Sequence, residues 1–273
     1  MSFDYITPSI SKWKLDDLMK IIDGFEVDFA NAVHHKLLVQ QDYQTLLAQT
    51  VGKSIVTARE IVTLCAYGYP DGALALGRNL YEQMIILSFF EAHKKDENFQ
   101  EYVNDFFLSY EVQRNKCLRD IHRYIPNKNI DALEAEAERF KKRTCKKIKG
   151  DYWWAGYETF TKLIEHVMHT QNDDSFREFL GIHYSRYKRA CVALHASCLG
   201  NSIRIGNRKS YEVIDTMPSL CGQSSPLIYA TVSLIAIFGY ACTNFQINNV
   251  DHIDKLNELA ILYQEQEKVD SKF

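Results

Sequence analysis

Residues 72–93 read GALALGRNLYEQMIILSFFEAH, and apolar side chains recur in this stretch with the three- and four-residue spacing of an α-helix. Asp71 directly precedes the stretch and suits the N-cap position. Arg78 and Glu82 are four residues apart, so they share one helix face, which also carries apolar residues. The sequence thus predicts an ion pair on the apolar side of a helix, where it either organises a functional cleft or fixes the register of two helices.

The same helical spacing continues over almost the whole chain, and glycine or proline marks most of the breaks. We therefore predict an all-α fold, a single bundle of about eight mostly antiparallel helices that forms one domain over residues 1–273. The very polar segment 128–150 is a candidate projecting hairpin, and 251–268 is predicted as a C-terminal helix. SYEVIDTM (210–217) is the one short candidate strand.

The composition indicates a globular protein, because 46% of the residues are apolar and 12% are aromatic. A formal net charge of −3 argues against binding to nucleic acid by bulk charge, although a local basic patch can still bind it. The seven cysteines are scattered without a C-x-x-C pair, which predicts buried thiols in a reducing compartment. Since the N-terminal residues lack the pattern of a signal peptide, we expect a cytoplasmic protein.

Segment 226–245, PLIYATVSLIAIFGYACTNF, is long and apolar enough to span a bilayer, and no formal charge occurs between Asp215 and Asp251. It nevertheless contains Thr, Ser, Gly, Tyr and Asn, and it lacks flanking Lys or Arg. This pattern favours a central bundle helix that is apolar all round because neighbouring helices surround it. We expect no contact with a membrane.

A second helix with polar content covers residues 183–197, HYSRYKRACVALHAS. Tyr184, Lys188, Cys191 and His195 fall within a narrow stripe of one helix face. Arg189 lies roughly 120° round the helix from His195, so it shares a cleft with His195 only through its long side chain or at the edge of a dimer interface. His195 is either a core histidine hydrogen-bonded to Tyr184 or to the Arg78–Glu82 pair, or a catalytic residue.

These residues form a pattern: Arg-x-x-x-Glu in an apolar helix, a Trp after a basic stretch, then Tyr-Lys-x-x-Cys-x-x-x-His. The pattern resembles a bacterial, all-helical domain family of unknown function, in which Ser is expected at the position of the Cys. The resemblance covers residues 55–245 and implies no particular reaction. Its members in this chain are Arg78, Glu82, Trp153 or Trp154, Tyr187, Lys188, Cys191 and His195.

The spacing of Arg189 and His195 is also distantly similar to the signature of the HEPN superfamily, an Arg and a His close together late in a helical bundle. This resemblance implies a homodimeric, metal-independent ribonuclease that acts as a toxin or in phage defence, with an antitoxin or another defence component as partner protein. It implies that His195 acts as general acid and base on the ribose 2′-OH or the leaving oxygen. Arg189 would stabilise charge on the phosphoryl group.

A basic stretch, RFKKRTCKKIKGDYWW (139–154), is a candidate RNA-binding segment, because single-stranded RNA binds to cations beside stacking aromatic rings. The alternative is a solvated helix whose cations complement its C-terminal dipole, with the tryptophans anchoring the following helix. The candidate RNA-binding residues are Lys142, Arg143, Lys146, Lys147, Trp153 and Trp154.

The sequence predicts neither a metal site nor a cofactor. His166 and His169 could share a ligand face with Glu165 nearby, but no H-E-x-x-H motif and no Glu-x-x-His pair supports them. P-loop, Rossmann and G-x-S-x-G motifs are also absent from the sequence.

Two functions follow as expectations. The first is a HEPN-like ribonuclease with His195 and Arg189 as catalytic residues. The second is a non-catalytic helical module that binds a partner protein or a small ligand in the same polar cleft. In both cases the expected cleft or supporting residues are Arg78, Glu82, Tyr184, Tyr187 and Lys188.

Overall fold

A computed structural model describes residues 13–34, 42–124, 135, 150–170, 174–194, 205–208, 211–214, 222–248 and 250–270. Within these ranges the chain forms eight α-helices, a three-residue 3₁₀ turn (Trp153–Ala155) and one short hairpin. The helices are α1 (Leu15–Val33), α2 (Tyr43–Ala66), α3 (Pro70–His93), α4 (Phe99–Tyr124), α5 (Phe160–Thr170), α6 (Asp174–Leu194), α7 (Ser224–Phe245) and α8 (Asp251–Asp270). The hairpin strands are β1 (Ile205–Arg208) and β2 (Tyr211–Ile214).

The prediction of an all-α, bundle-like fold is confirmed, and the hairpin is a small addition to it. β1 and β2 pair antiparallel, with Ile205 opposite Ile214, and β2 falls within the segment predicted as a strand. The predicted C-terminal helix is α8. The proposed projecting segment 128–150 lies almost entirely outside the described residues.

The start of α3 differs from the prediction for Asp71. The helix begins at Pro70, and the Ala73 amide donates to the Tyr69 carbonyl, so Asp71 lies inside the first turn. Proline suits the first helical position because its missing N–H has no partner there in any helix. Asp71 instead complements the helix dipole, which favours negative charge in the first turn.

The chain forms two compact units, and the division falls within α2 and α3. Unit 1 consists of residues 1–38, 47–87 and 173–273, and unit 2 consists of residues 39–46 and 88–172. The expectation that residues 1–273 form one domain remains a prediction.

The core of unit 1 is arranged around α7, which packs against α8 and α1. Among the described residues it is the one helix long and apolar enough to cross a membrane, and 72% of its most apolar 18 residues are buried inside the protein. The Phe238 ring stacks on Phe25 of α1 at 3.5 Å and 7°. In the same unit, the Tyr263 hydroxyl of α8 donates to the Trp13 carbonyl at 2.9 Å. In this structure, α7 therefore occupies the place expected of a core helix.

The core of unit 2 is a cluster of aromatic rings around Phe89 and Phe90 at the end of α3. Trp154 of the 3₁₀ turn stacks on Phe90 at 5.2 Å and meets Phe106 edge-on at 4.9 Å. Tyr43 packs against the Phe90 ring, and its hydroxyl donates to Glu91. Ring packing of this kind contributes beyond the burial of apolar area alone.

We expect Phe238→Ala to lower the free energy of unfolding by about 3–5 kcal/mol, because it removes a buried ring and leaves a cavity against Phe25. Urea unfolding followed by circular dichroism measures this loss. Ile261→Ala is the matched control, because Ile261 is 59% exposed, and its effect is expected to stay within about 0.5 kcal/mol. Equal losses in the two variants would contradict the central place of α7.

Candidate functional site

Arg78 and Glu82 form the ion pair that their spacing predicts. The Arg78 Nη2 lies 3.0 Å from the Glu82 Oε1, and the side chains are 35% and 23% exposed. The pair is thus half-buried rather than enclosed in the core. Solvent screening weakens the attraction between the two charges, while partial exposure reduces the desolvation cost that a fully buried ion pair would carry.

Tyr187 of α6, 105 residues after Glu82 in the sequence, contacts both members of this pair. Its hydroxyl donates to the Glu82 Oε1 at 2.6 Å, and the Arg78 guanidinium lies over its ring, 5.2 Å from the ring centre. The aromatic ring attracts the cation, while the shared carboxylate oxygen fixes both partners. We call Arg78, Glu82 and Tyr187 the Arg78 cluster; it lies entirely within unit 1.

At neutral pH, Tyr187 keeps its phenolic proton and Arg78 keeps its charge. Burial and the hydrogen bond to Glu82 raise the pKa of Tyr187 far above its usual value, so its phenol remains a donor. Burial alone would lower the pKa of Arg78, but Tyr187 and the charge of Glu82 more than offset this and raise it. The cluster therefore presents a permanent cation beside a neutral phenol.

The wall beside the Arg78 cluster consists of aromatic rings and one lysine. Tyr81 and Tyr184 pack against Tyr187 with ring centres 5.6 and 6.1 Å away, and the Lys188 Nζ lies 5.2 Å from the centre of the Tyr184 ring. All five residues expected to form the cleft are thus brought together. Tyr81, which the sequence analysis did not select, is positioned by its hydroxyl, which donates to the Leu180 carbonyl at 3.0 Å.

One donor of Arg78, its Nε–H, is buried and makes no hydrogen bond within the part of the chain that the structure describes. A buried N–H without a partner costs about 1–3 kcal/mol, and more when the group is charged. The guanidinium thus keeps one N–H without an acceptor among the described residues, and its exposed part is within reach of an anionic oxygen, the group that arginine recognises in phosphate and carboxylate.

The structure does not test the remaining ribonuclease residues. The backbone of Arg189 lies in α6, but its side chain and all of His195 are outside the described residues. The basic residues Lys142, Arg143, Lys146 and Lys147 are also outside them. Positions 187 and 189 are about 160° apart around an α-helix, so position 189 lies on the opposite side of α6 from Tyr187.

Trp153 and Trp154 do not suit the role of RNA-stacking residues. They are only 6% and 3% exposed, and Trp154 is enclosed by Phe89, Phe90 and Phe106. A base cannot stack on a ring that already packs inside the protein. Their burial instead matches the alternative interpretation, in which the tryptophans anchor the segment before α5.

A second polar network on α6 was not expected from the sequence. Arg186 donates to Glu267 of α8 at 2.6 Å, and its Nη1 faces the His183 Nδ1 at 3.3 Å. These residues border a cavity of about 440 Å³ between α6 and α8. The i, i+3 spacing of His183 and Arg186 was a visible signal, but Glu267 is 81 residues away from Arg186 in sequence.

The comparisons with known proteins identify a family whose function is unknown. The profile of a family of unknown function, DUF5677, matches residues 44–210, well over half of the chain. The chain belongs to this family. The match confirms the expected resemblance to an all-helical family of unknown function, and the matched range contains the whole Arg78 cluster. α7 and α8 lie beyond the DUF5677 match. No curated protein and no solved structure matches the chain.

A double-mutant cycle tests the hydrogen bond that connects α6 to α3. We expect Tyr187→Phe and Glu82→Gln to show a coupling energy of about 1–2 kcal/mol in urea unfolding, because each removes the same charged hydrogen bond. Tyr229→Phe is the control, since its hydroxyl donates to the His183 carbonyl instead, and its effect should add to that of Glu82→Gln. Additivity of Tyr187→Phe and Glu82→Gln would contradict the contact.

The lowered pKa of His183 predicts that the folded protein loses stability in acid. Burial, with a smaller contribution from Arg186, lowers the pKa of His183 to about 4, below the value of about 6.5 in an unfolded chain. The folded protein therefore takes up this proton less readily, and stability is lost as the pH falls from 6.5 towards 4. We expect His183→Asn, which keeps an acceptor for Arg186, to remove roughly 2–3 kcal/mol of this loss. Urea unfolding at several pH values measures the difference; parallel curves for both proteins would contradict the assignment.

Proposed function

We propose that the chain is a metal-independent ribonuclease of the HEPN type that acts in the cytoplasm as a toxin or defence effector. The observation that carries the proposal is the Arg78 cluster, in which a half-exposed arginine is held in place and has a buried N–H without an acceptor among the described residues. RNA supplies phosphate oxygens, for which a guanidinium is the best-suited side chain. Lys188, beside Tyr184, adds a second cation to the same surface.

The proposed reaction needs one group to move protons and one cation to stabilise phosphate. His195, as general base, removes the proton of the ribose 2′-OH, and the oxygen attacks the adjacent phosphorus. The bond from phosphorus to the 5′-oxygen breaks and leaves a 2′,3′-cyclic phosphate, and the 5′-oxygen takes up the proton that His195 has accepted. The charge that develops on the phosphoryl oxygens is stabilised by arginine, and no metal ion is required.

The structure changes which arginine we assign to each role. Arg78 is the arginine of the cluster on the Tyr187 side of α6, so we propose that it binds the scissile phosphate or a neighbouring one. Because position 189 lies on the opposite side of α6, Arg189 would act across the two-fold axis of a homodimer, on the site of the second copy. The basic residues between 139 and 149 would contact RNA backbone away from the scissile bond.

A second candidate function rests on the same N–H of Arg78. A non-catalytic module that holds an anionic ligand or a partner's carboxylate would satisfy this donor equally well. In that case the family would share a recognition site, and His195 would belong to the core.

RNA cleavage in the presence of EDTA distinguishes the two functions. We expect wild-type protein to cleave single-stranded RNA, and His195→Ala, Arg189→Ala and Arg78→Gln each to reduce the rate by about 100-fold or more. Arg177→Ala is the matched control, because Arg177 is an exposed arginine of α6 that pairs with Asp174. Circular dichroism verifies that each variant is folded.

Absence of cleavage by the wild-type protein would contradict the ribonuclease proposal. The second function would then require that the wild-type protein bind inorganic phosphate or an RNA oligonucleotide, and that Arg78→Gln lose this binding while Arg177→Ala keeps it. If His195→Ala were also less stable than wild type, His195 would be a core residue.

A further inference from the structure

Two histidines of unit 2 meet with their ring nitrogens facing each other. His93, the last residue of α3, and His166 of α5 bring their Nε2 atoms to 2.7 Å. The ring planes differ by only 9°, and the ring centres are 4.9 Å apart. The rings therefore lie almost end to end, and only one proton fits between the two nitrogens.

Asp96 determines which nitrogen of His93 is free. Its Oδ2 lies 2.6 Å from the His93 Nδ1, so the carboxylate accepts the Nδ1 proton and the lone pair of Nε2 points at His166. A carboxylate in this position is the usual outer partner of a histidine that binds a metal ion, because it fixes the ring and increases its basicity.

The surroundings of the two imidazoles leave an entrance for an ion. Phe89, Tyr102 and Tyr157 pack around the two imidazoles. Asp96 is 44% exposed and the His93 side chain 14%, so solvent reaches the edge of the pair. Neutral imidazole is the form that coordinates metal ions.

We propose that His93 and His166 bind a divalent transition-metal ion of the zinc class through their Nε2 atoms, with Asp96 as the outer carboxylate. In tetrahedral zinc with Zn–N bonds of about 2.0–2.1 Å, the two nitrogens lie about 3.3 Å apart and the ring axes converge on the ion near 109°. The rings must therefore separate by well under 1 Å and also turn away from their end-to-end arrangement. His166 keeps one proton, which moves from Nε2 to Nδ1. The ion then takes the place of the proton between the rings, and water completes its coordination.

The coordination number follows from the neighbouring side chains. Within the described ranges, no three His, Cys, Asp or Glu side chains are grouped to hold a metal ion. The site is therefore an open one with two protein ligands, in which two coordination positions stay available for water or for an anionic ligand. It is also separate from the Arg78 cluster, since the two belong to different units.

Calorimetric titration of zinc into the full chain, freed of metal with a chelator and then dialysed, tests the proposal. We expect wild-type protein to bind one Zn²⁺ per chain at this site, and His93→Ala and His166→Gln to lose that binding. Gln at position 166 still offers a hydrogen-bonding group towards His93, so the fold need not change. Asp96→Asn is expected to bind zinc 10–100-fold more weakly.

His169→Ala is the matched control, because this histidine lies three residues after His166 on the exposed side of α5. It should bind zinc like the wild type. The proposal is overturned if wild-type protein binds no zinc, or if His169→Ala loses binding as completely as His166→Gln. It is also overturned if His93→Ala and His166→Gln, folded by circular dichroism, bind zinc as the wild type does. The pair would then be a hydrogen bond only.

Discussion

The burial of α7 is the constraint on which the rest of unit 1 depends. This helix carries no charge, and a 22-residue apolar helix is stable in water only if neighbours cover it. α1 and α8 supply much of this cover through Phe25 and the other residues that pack on α7. One of its own polar groups connects it to α6, since the Tyr229 hydroxyl donates to the His183 carbonyl. α6 is thereby held at a fixed place, and the Arg78 cluster relies on that placement.

The Arg78 cluster shows how packing between helices can orient an arginine that is still partly exposed to solvent. Tyr187 donates a hydrogen bond to Glu82 and packs its ring against Arg78. The guanidinium is therefore oriented by its ion pair with Glu82 and by its contact with the Tyr187 ring. Neither interaction uses the Nε–H, which is buried and has no acceptor in the described part of the chain. A group left in this state costs free energy, and such costs are typical of binding and catalytic sites. Membership of DUF5677 covers these residues but names no ligand, so the chemistry has to come from the residues themselves.

Helical periodicity was sufficient to locate the helices and to predict which side chains pair within one helix. The spacing of apolar residues located the helices, and the four-residue spacing of Arg78 and Glu82 gave their ion pair, because helix geometry alone puts such residues side by side. Capping preferences of single residues were a less reliable guide to where a helix begins. Both Pro70 and Asp71 are good residues for a helix start, and the structure uses the proline at the first position.

Pairing between helices was decided only by the tertiary structure. The sequence selected Tyr187 and Glu82 as cleft residues, but it could not show that their two helices meet at this hydrogen bond across 105 residues. It grouped His166 with His169 on one helix, whereas the partner in the fold is His93, 73 residues away. It placed the tryptophans beside basic residues, while the fold buries both and packs Trp154 against phenylalanines. The physical reason is the same each time: the period of a helix determines which residues share a face, and only the packing of whole helices determines which faces touch.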